Sequence, residues 1–179
     1  MRKALYIFGQ LNDVDVDWLA RAGVRRRVAA GEVIIQEGQP VDSLFITLEG
    51  KLQVTVAGGR KIAHLGVGEV IGEIAFVDSA PPTATVSAIV DSVVLELKKP
   101  DLERRLATDN GLAGRFYRAL AIFFAHRLRH ATYGLGFGEG GEVRQEAATN
   151  MDEIDPSLLD TVAMAGERFE RLLRGSANG

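Results

Sequence analysis

Residues 71–86 read IGEIAFVDSAPPTATV, and the rest of the chain is arranged around them. Gly72 and Glu73 open the stretch, and the apolar residues Ile74, Ala75 and Phe76 follow. Asp78-Ser79-Ala80-Pro81-Pro82 has the small and proline-rich composition of a loop. From Thr83 to Val90 the chain turns strand-like, with Val86, Ala88 and Val90 alternating against polar or small residues.

On both sides of this stretch the signals are those of short strands. Val33 to Ile35 is closed by Glu37-Gly38-Gln39-Pro40, and Leu44 to Leu48 by Glu49-Gly50. Leu52, Val54 and Val56 alternate with Lys51, Gln53 and Thr55, a period of two with one buried face. Gly58-Gly59 suits a tight hairpin turn, which needs positive φ angles, and Ile62 to Leu65 returns from it. Gly66 and Gly68 mark a turn before Val70, and Val93, Leu95 and Leu97 form a last strand. Short strands with a turn every 8–12 residues predict a sandwich or β-roll.

Helices flank the strands. Residues 5–24 read as a helical lead-in, with Asp13, Asp15 and Asp17 in a first turn, where the helix dipole favours acids. Arg25-Arg26-Arg27 then reads as a solvated surface just before the first strand, or as an anion patch. Pro100-Asp101 opens a short helix, and a long one runs from about Leu112 to Tyr133. Residues 119–125 (ALAIFFA) are apolar all round, so that helix needs cover on more than one side. A second copy of the helix, making a homodimer through residues 112–133, is the economical cover. A tail folded back on the helix is the alternative. Gly134 to Gly141 has the composition of a flexible linker. Asp155-Pro156 caps a final amphipathic helix with Leu158, Leu159, Val162, Ala165, Phe169, Leu172 and Leu173 in one stripe.

Composition excludes several classes of function. The chain has no cysteine, so disulfides, thiolate metal sites and a cysteine nucleophile are out of the question. A net charge of −3 gives no electrostatic footprint for nucleic acid. No apolar run is long enough to span a bilayer, and MRKALYIFGQ is too short and too soon polar for a signal peptide, so a cytoplasmic protein without membrane attachment is expected.

The stretch 71–86 closely resembles the phosphate-binding cassette of the cyclic-nucleotide-binding domain, in the catabolite-activator (Crp-Fnr) type of regulator. Gly72 and Glu73 match that family's glycine-glutamate pair, and Thr83 and Ala84 match its small-residue pair. Pro82 stands where the family carries its phosphate-binding arginine. Gly31-Glu32-Val33-Ile34, Glu37-Gly38, Asp42 to Ile46 and Glu49 to Val54 match its glycine-bounded strands, so the resemblance runs from about Leu5 to about Tyr133. It implies a mainly β fold with flanking helices: a double-stranded β-helix (a jelly-roll-like β-roll), a long dimerisation helix, and here an extra C-terminal amphipathic helix. The domain organisation expected is 1–110 for the lead-in helix and roll, 111–134 for the dimerisation helix, 135–154 for the linker and 155–174 for the last helix. Residues 135–179 hold no second helix and no basic face for a helix-turn-helix, so no DNA partner is expected, and the last helix reads as a docking element, in cis or on a partner protein.

The same resemblance implies a ligand, cyclic AMP or cyclic GMP, and a site. Glu73 would accept the ribose 2′-hydroxyl. Gly72, Ile74 and Ala75 would shape the turn whose amides meet the phosphate, with the Thr83 hydroxyl and the Ala84 amide. Thr132 would approach the purine from the long helix. Pro82 brings neither charge nor N–H, and Arg60 or Lys61 of a neighbouring hairpin would have to substitute. Glu73 can also be read as an acceptor for turn amides. His126 and His130 have the spacing of a metal pair without an evident third ligand, and Ser79 and Ser87 have no histidine base at a recognisable spacing. The expected protein is therefore a non-enzymatic regulatory module, or a ligand-free scaffold on the same fold.

Overall fold

The structure, a computed structural model, describes residues 7–134 and 159–177. Among them, eight strands pair into two four-stranded antiparallel sheets. One has the order β1 (Val24–Val28), β8 (Ser92–Lys98), β3 (Ser43–Glu49), β6 (Val70–Ile71). The other has the order β2 (Val33–Ile35), β7 (Thr85–Ala88), β4 (Leu52–Val56), β5 (Arg60–Leu65). The helices are α1 (Asp13–Ala22), α2 (Glu73–Asp78), α3 (Lys99–Thr108), α4 (Asn110–Gly134) and α5 (Leu159–Ser176). This is the mainly β roll with flanking helices that the sequence predicts.

The near-continuous apolar run of β3 has a structural reason: its sheet is covered on both faces. Leu44, Ile46 and Leu48 point to the helices, where they pack with Leu95, Leu97, Leu102 and Phe116. Phe45 points the other way, into a core between the sheets with Val28, Leu52, Ile71, Val86 and Val94. The period of two thus divides one strand between two cores.

The helices pack on the first sheet. Asn12 and Asp15 close a reciprocal cap on α1, each side chain accepting the other's backbone N–H at 2.9 Å. Asp15 is buried and also takes a two-pronged bond from Arg115 of α4, at 2.6 and 2.8 Å. On α4, Leu112, Phe116, Ala119, Leu120 and Phe123 are buried, while Tyr117, Ala121 and Ala125 are exposed on the other face. The C-terminal helix α5 docks on its own chain: Ala165, Phe169 and Leu172 are buried, and Phe169 meets Phe8 edge-on with centroids 5.6 Å apart. Arg168 donates to the Phe8 carbonyl at 3.1 Å and pairs with Asp13. Arg171 forks onto Asp17, and Arg25 donates to the Leu173 carbonyl at 3.3 Å.

Three expectations need correction. Arg25-Arg26-Arg27 lies inside β1 rather than ahead of it. The strand is at a sheet edge, where Arg25 pairs with Glu49 at 3.0 Å and Arg26 with Glu32 at 2.7 Å while Arg27 is exposed, so the charge run is not a bare anion patch. The strand expected over Thr83–Val90 is shorter, Thr85–Ala88: Thr83 and Ala84 form a bend, and Val90 is half exposed beyond the strand end. Within β4 only Leu52 is buried, and Val54 on the same face borders an open cavity. The glycine-rich linker and the Asp155-Pro156 cap lie outside the described residues.

The Arg171 bond holds the Asp17 carboxyl below its usual value of 3.8. A carboxylate with a lowered folded pKa adds stability above its unfolded pKa, and that contribution is lost as pH falls through the folded value. Asp17→Asn should therefore lower the melting temperature near about pH 7, and the gap from the wild type should close as pH falls through the lowered folded value. Melting curves across that range check this, and a gap independent of pH would refute it.

Candidate functional site

The site begins where β6 ends. Gly72 has φ 87° and ψ 5°, a left-handed conformation, and serves as the cap before α2. A Cβ there would stand 2.9 Å from the Ser43 carbonyl oxygen, a backbone atom of the central strand β3. Glycine is thus required both for the turn and for the close approach. The turn starts α2 at once, with Glu73 as its first residue and buried. The Gly72 carbonyl accepts from the Phe76 amide at 3.0 Å. Phe76 is buried and meets Phe116 of α4 edge-on at 5.7 Å, which ties the short helix to the long one.

The loop after α2 is held from three sides. Asp78 Oδ1 accepts from the Ala80 amide at 2.9 Å. Lys99 Nζ, from the start of α3, donates to the Ala75 carbonyl and to Ser79 Oγ, each at 3.1 Å. The Pro82 carbonyl accepts from the Gly38 amide at 2.8 Å, anchoring the loop end to the β2–β3 connection.

These elements enclose a cavity of about 220 Å³. Gly72, Glu73, Ile74, Ala75, Pro82, Thr83 and Ala84 all border it. The structure therefore brings together every site residue expected from the sequence except Thr132, whose side chain lies outside the described residues, as do those of His126 and His130. Among the described residues no cluster of three metal-ligating side chains occurs. The opposite wall is apolar: Val54 from β4, Ile62 and Leu65 from β5, Val86 from β7. Of the hairpin residues, Ile62 and Ala63 border the cavity, whereas Arg60 and Lys61 do not. A register shift between Val54↔Ala63 and Thr55↔Lys61 leaves Ile62 as the extra residue of a β-bulge, a device that turns a side chain toward a site.

Sequence reasoning missed Phe123, which reaches the cavity from α4. Its burial was legible from the apolar face it shares with Phe116 and Leu120, but what it faces was not. Two acidic residues that border the cavity, the buried Glu69 and the exposed Asp78, were missed as well. The fit to a cyclic nucleotide is mixed. The apolar walls suit a flat base, and Glu73 is placed at the start of α2, beside the turn. Pro82 supplies no N–H and no charge where an anionic phosphate would be met.

A family model for the cyclic nucleotide-binding domain matches residues 25–109, which includes the whole cassette. A crystal structure of the N-terminal domain of a transcriptional regulator from Streptomyces coelicolor A3(2) is 30% identical, with a TM-score of 0.59 over 78% of this chain and 99% of that one. The chain belongs to the cyclic-nucleotide-binding domain family. It is also 27% identical over 77% of its length to a cAMP-dependent protein kinase regulatory subunit of Blastocladiella emersonii. A cyclic nucleotide-gated potassium channel of Rhizobium etli is 35% identical over 56% of this chain. The chain spans only 38% and 28% of those two proteins, so the likeness is to a part of each. Among the described residues, no helix is long and apolar enough to cross a membrane.

The Gly72 turn gives the site its first test. Gly72→Ala forces an alanine into left-handed backbone and against a carbonyl of a central strand, and should cost about 2–4 kcal/mol of stability by urea denaturation. A variant as stable as the wild type would mean the turn is not under this constraint.

Proposed function

We propose that this chain is a non-enzymatic regulatory module that senses a cyclic nucleotide, cyclic AMP or cyclic GMP, through a cassette in which Pro82 replaces the arginine. The observation that carries this reading is the convergence of seven cassette positions and Phe123 of α4 on one cavity. A ligand held there touches the cassette and the long helix together, so occupancy bears directly on the position of α4. In this reading Glu73 takes the ribose, the turn at Ala75 with Thr83 and Ala84 meets the phosphate, and Thr132 approaches the base. Residues 1–110 form the sensor, 111–134 the dimerisation helix, 135–154 a linker and 155–174 the docking helix. The output is to a second copy or a partner protein in the cytoplasm rather than to DNA.

The missing arginine sets the expected strength. Removing one partner of a buried, hydrogen-bonded charge pair costs about 2–5 kcal/mol, which is roughly 30-fold to a few thousand-fold in affinity. The cyclic nucleotide should therefore bind in the range where high concentrations are needed. Pro82 also favours a second reading, a scaffold that keeps the roll and has lost the ligand.

Thermal unfolding separates the two. A ligand at about 1 mM with a Kd about tenfold lower adds roughly 1.4 kcal/mol, which is about 3–6 °C for a domain of this size. A rise with cyclic AMP or cyclic GMP that Glu73→Ala abolishes supports the sensor. No rise in the wild type, with one gained on Pro82→Arg, supports the scaffold.

The homodimer is read from α4, where Tyr117, Ala121 and Ala125 recur at helical spacing on the exposed face. The pair Ala121→Glu and Ala125→Glu should leave the fold intact and halve the mass measured by light scattering. A wild type that is already a monomer would refute the homodimer.

A further inference from the structure

The loop after α2 separates two cavities. Ala75, Ala80 and Pro81 border both the cavity described above and a second one of about 340 Å³ behind it. Lys99 stands in the second cavity with its side chain only 18% exposed. Its ammonium donates to the Ala75 carbonyl and to Ser79 Oγ, each at 3.1 Å, and lies 5.8 Å from the centre of the Phe76 ring. Those three contacts are with the cassette. A fourth, with the Glu103 carboxylate, is long at 4.0 Å, and Asp42 is the other acid bordering this space.

We propose that Lys99, reaching the cassette from behind, supplies the positive potential that an arginine at position 82 would otherwise bring to an anionic ligand. The inference rests on the cavity being the cyclic-nucleotide site. Its physical basis is the thinness of the wall: Ala75, Ala80 and Pro81 have the second cavity on one side and the ligand cavity on the other, and none of them carries charge. Of the three, Ala75 is buried, and a fixed charge acts across it more strongly than through water, because the intervening medium there is poorly polarisable. The bonds to Ala75 and Ser79 hold the ammonium in place, so its field does not have to be organised when the ligand arrives. Lys99 makes no contact with the ligand cavity and is a positioning and field-setting residue rather than a contact residue.

The test compares a charged probe with a neutral one. Binding of cyclic AMP and of adenosine is measured by calorimetry on the wild type, Lys99→Met, Lys99→Arg, Pro82→Arg and the double variant Lys99→Met with Pro82→Arg. Ligand-free melting confirms that each is folded. Lys99→Met should lose about tenfold in affinity for cyclic AMP while its affinity for adenosine stays within about twofold, and Lys99→Arg should keep both. The tenfold gap should shrink when Pro82→Arg is present, because the arginine then supplies the charge. Equal losses for both probes would make Lys99 a structural brace only and overturn the proposal, and so would no loss for either. Cyclic AMP binding by Pro82→Arg but not by the wild type would overturn it while leaving the cavity as the nucleotide site. Binding by neither would overturn both.

Discussion

Gly72 stands with its backbone in the left-handed region, close enough to the Ser43 carbonyl that no side chain fits. That one close approach lets the chain leave β6 and enter α2 without an intervening loop. It seats the Glu73 side chain in the interior beside a turn, and aims Phe76 at the long helix. Everything chemical about the site follows from this short helix being pressed against a central strand on one side and α4 on the other.

The surrounding helices brace this arrangement. α4 presents Phe116 to the cassette and Phe123 to the cavity, and is pinned to α1 by the buried Asp15 and Arg115. α1 and the residues just ahead of it in turn carry α5, through Phe8 with Phe169 and through Asp13 and Asp17 with Arg168 and Arg171. The C-terminal helix is therefore one ion pair away from the helix that walls the cavity. Asp15 is buried and Arg115 half-buried, whereas the bonds of Arg171 to Asp13 and Asp17 are exposed, so the Asp15 pair is the stiffer joint of this chain of contacts.

Much of this was legible in the sequence, because the residues concerned obey local rules. Gly58 and Gly59 take the positive φ angles that their hairpin requires, and β3, β4 and β8 stand where the apolar runs place them. The pairing of Gly72 with Glu73 marked the cassette. What was not legible depends on contacts distant in sequence. The arginines of β1 look like a solvated run until Glu49 and Glu32 are placed beside them. Ile62 faces the cavity only because of a bulge, which the alternation of residues in a hairpin does not announce. Phe123 is one of several apolar residues on a helix, and Lys99 is an ordinary lysine at a helix start until α2 is packed against it. The docking of α5 on α1 pairs residues more than 150 positions apart in sequence, beyond any local pattern.

The central claim is that the cavity between the cassette and α4 holds a cyclic nucleotide. Titration of cyclic AMP into isotope-labelled protein, followed by amide NMR, tests it most directly. The account predicts saturable shifts at the amides of residues 72–76 and 83–84, at β4 and β5, and at Phe123 on α4, with the far sheet edge at β1 little changed. Shifts scattered over the surface without saturation, or none at the cassette, would contradict it.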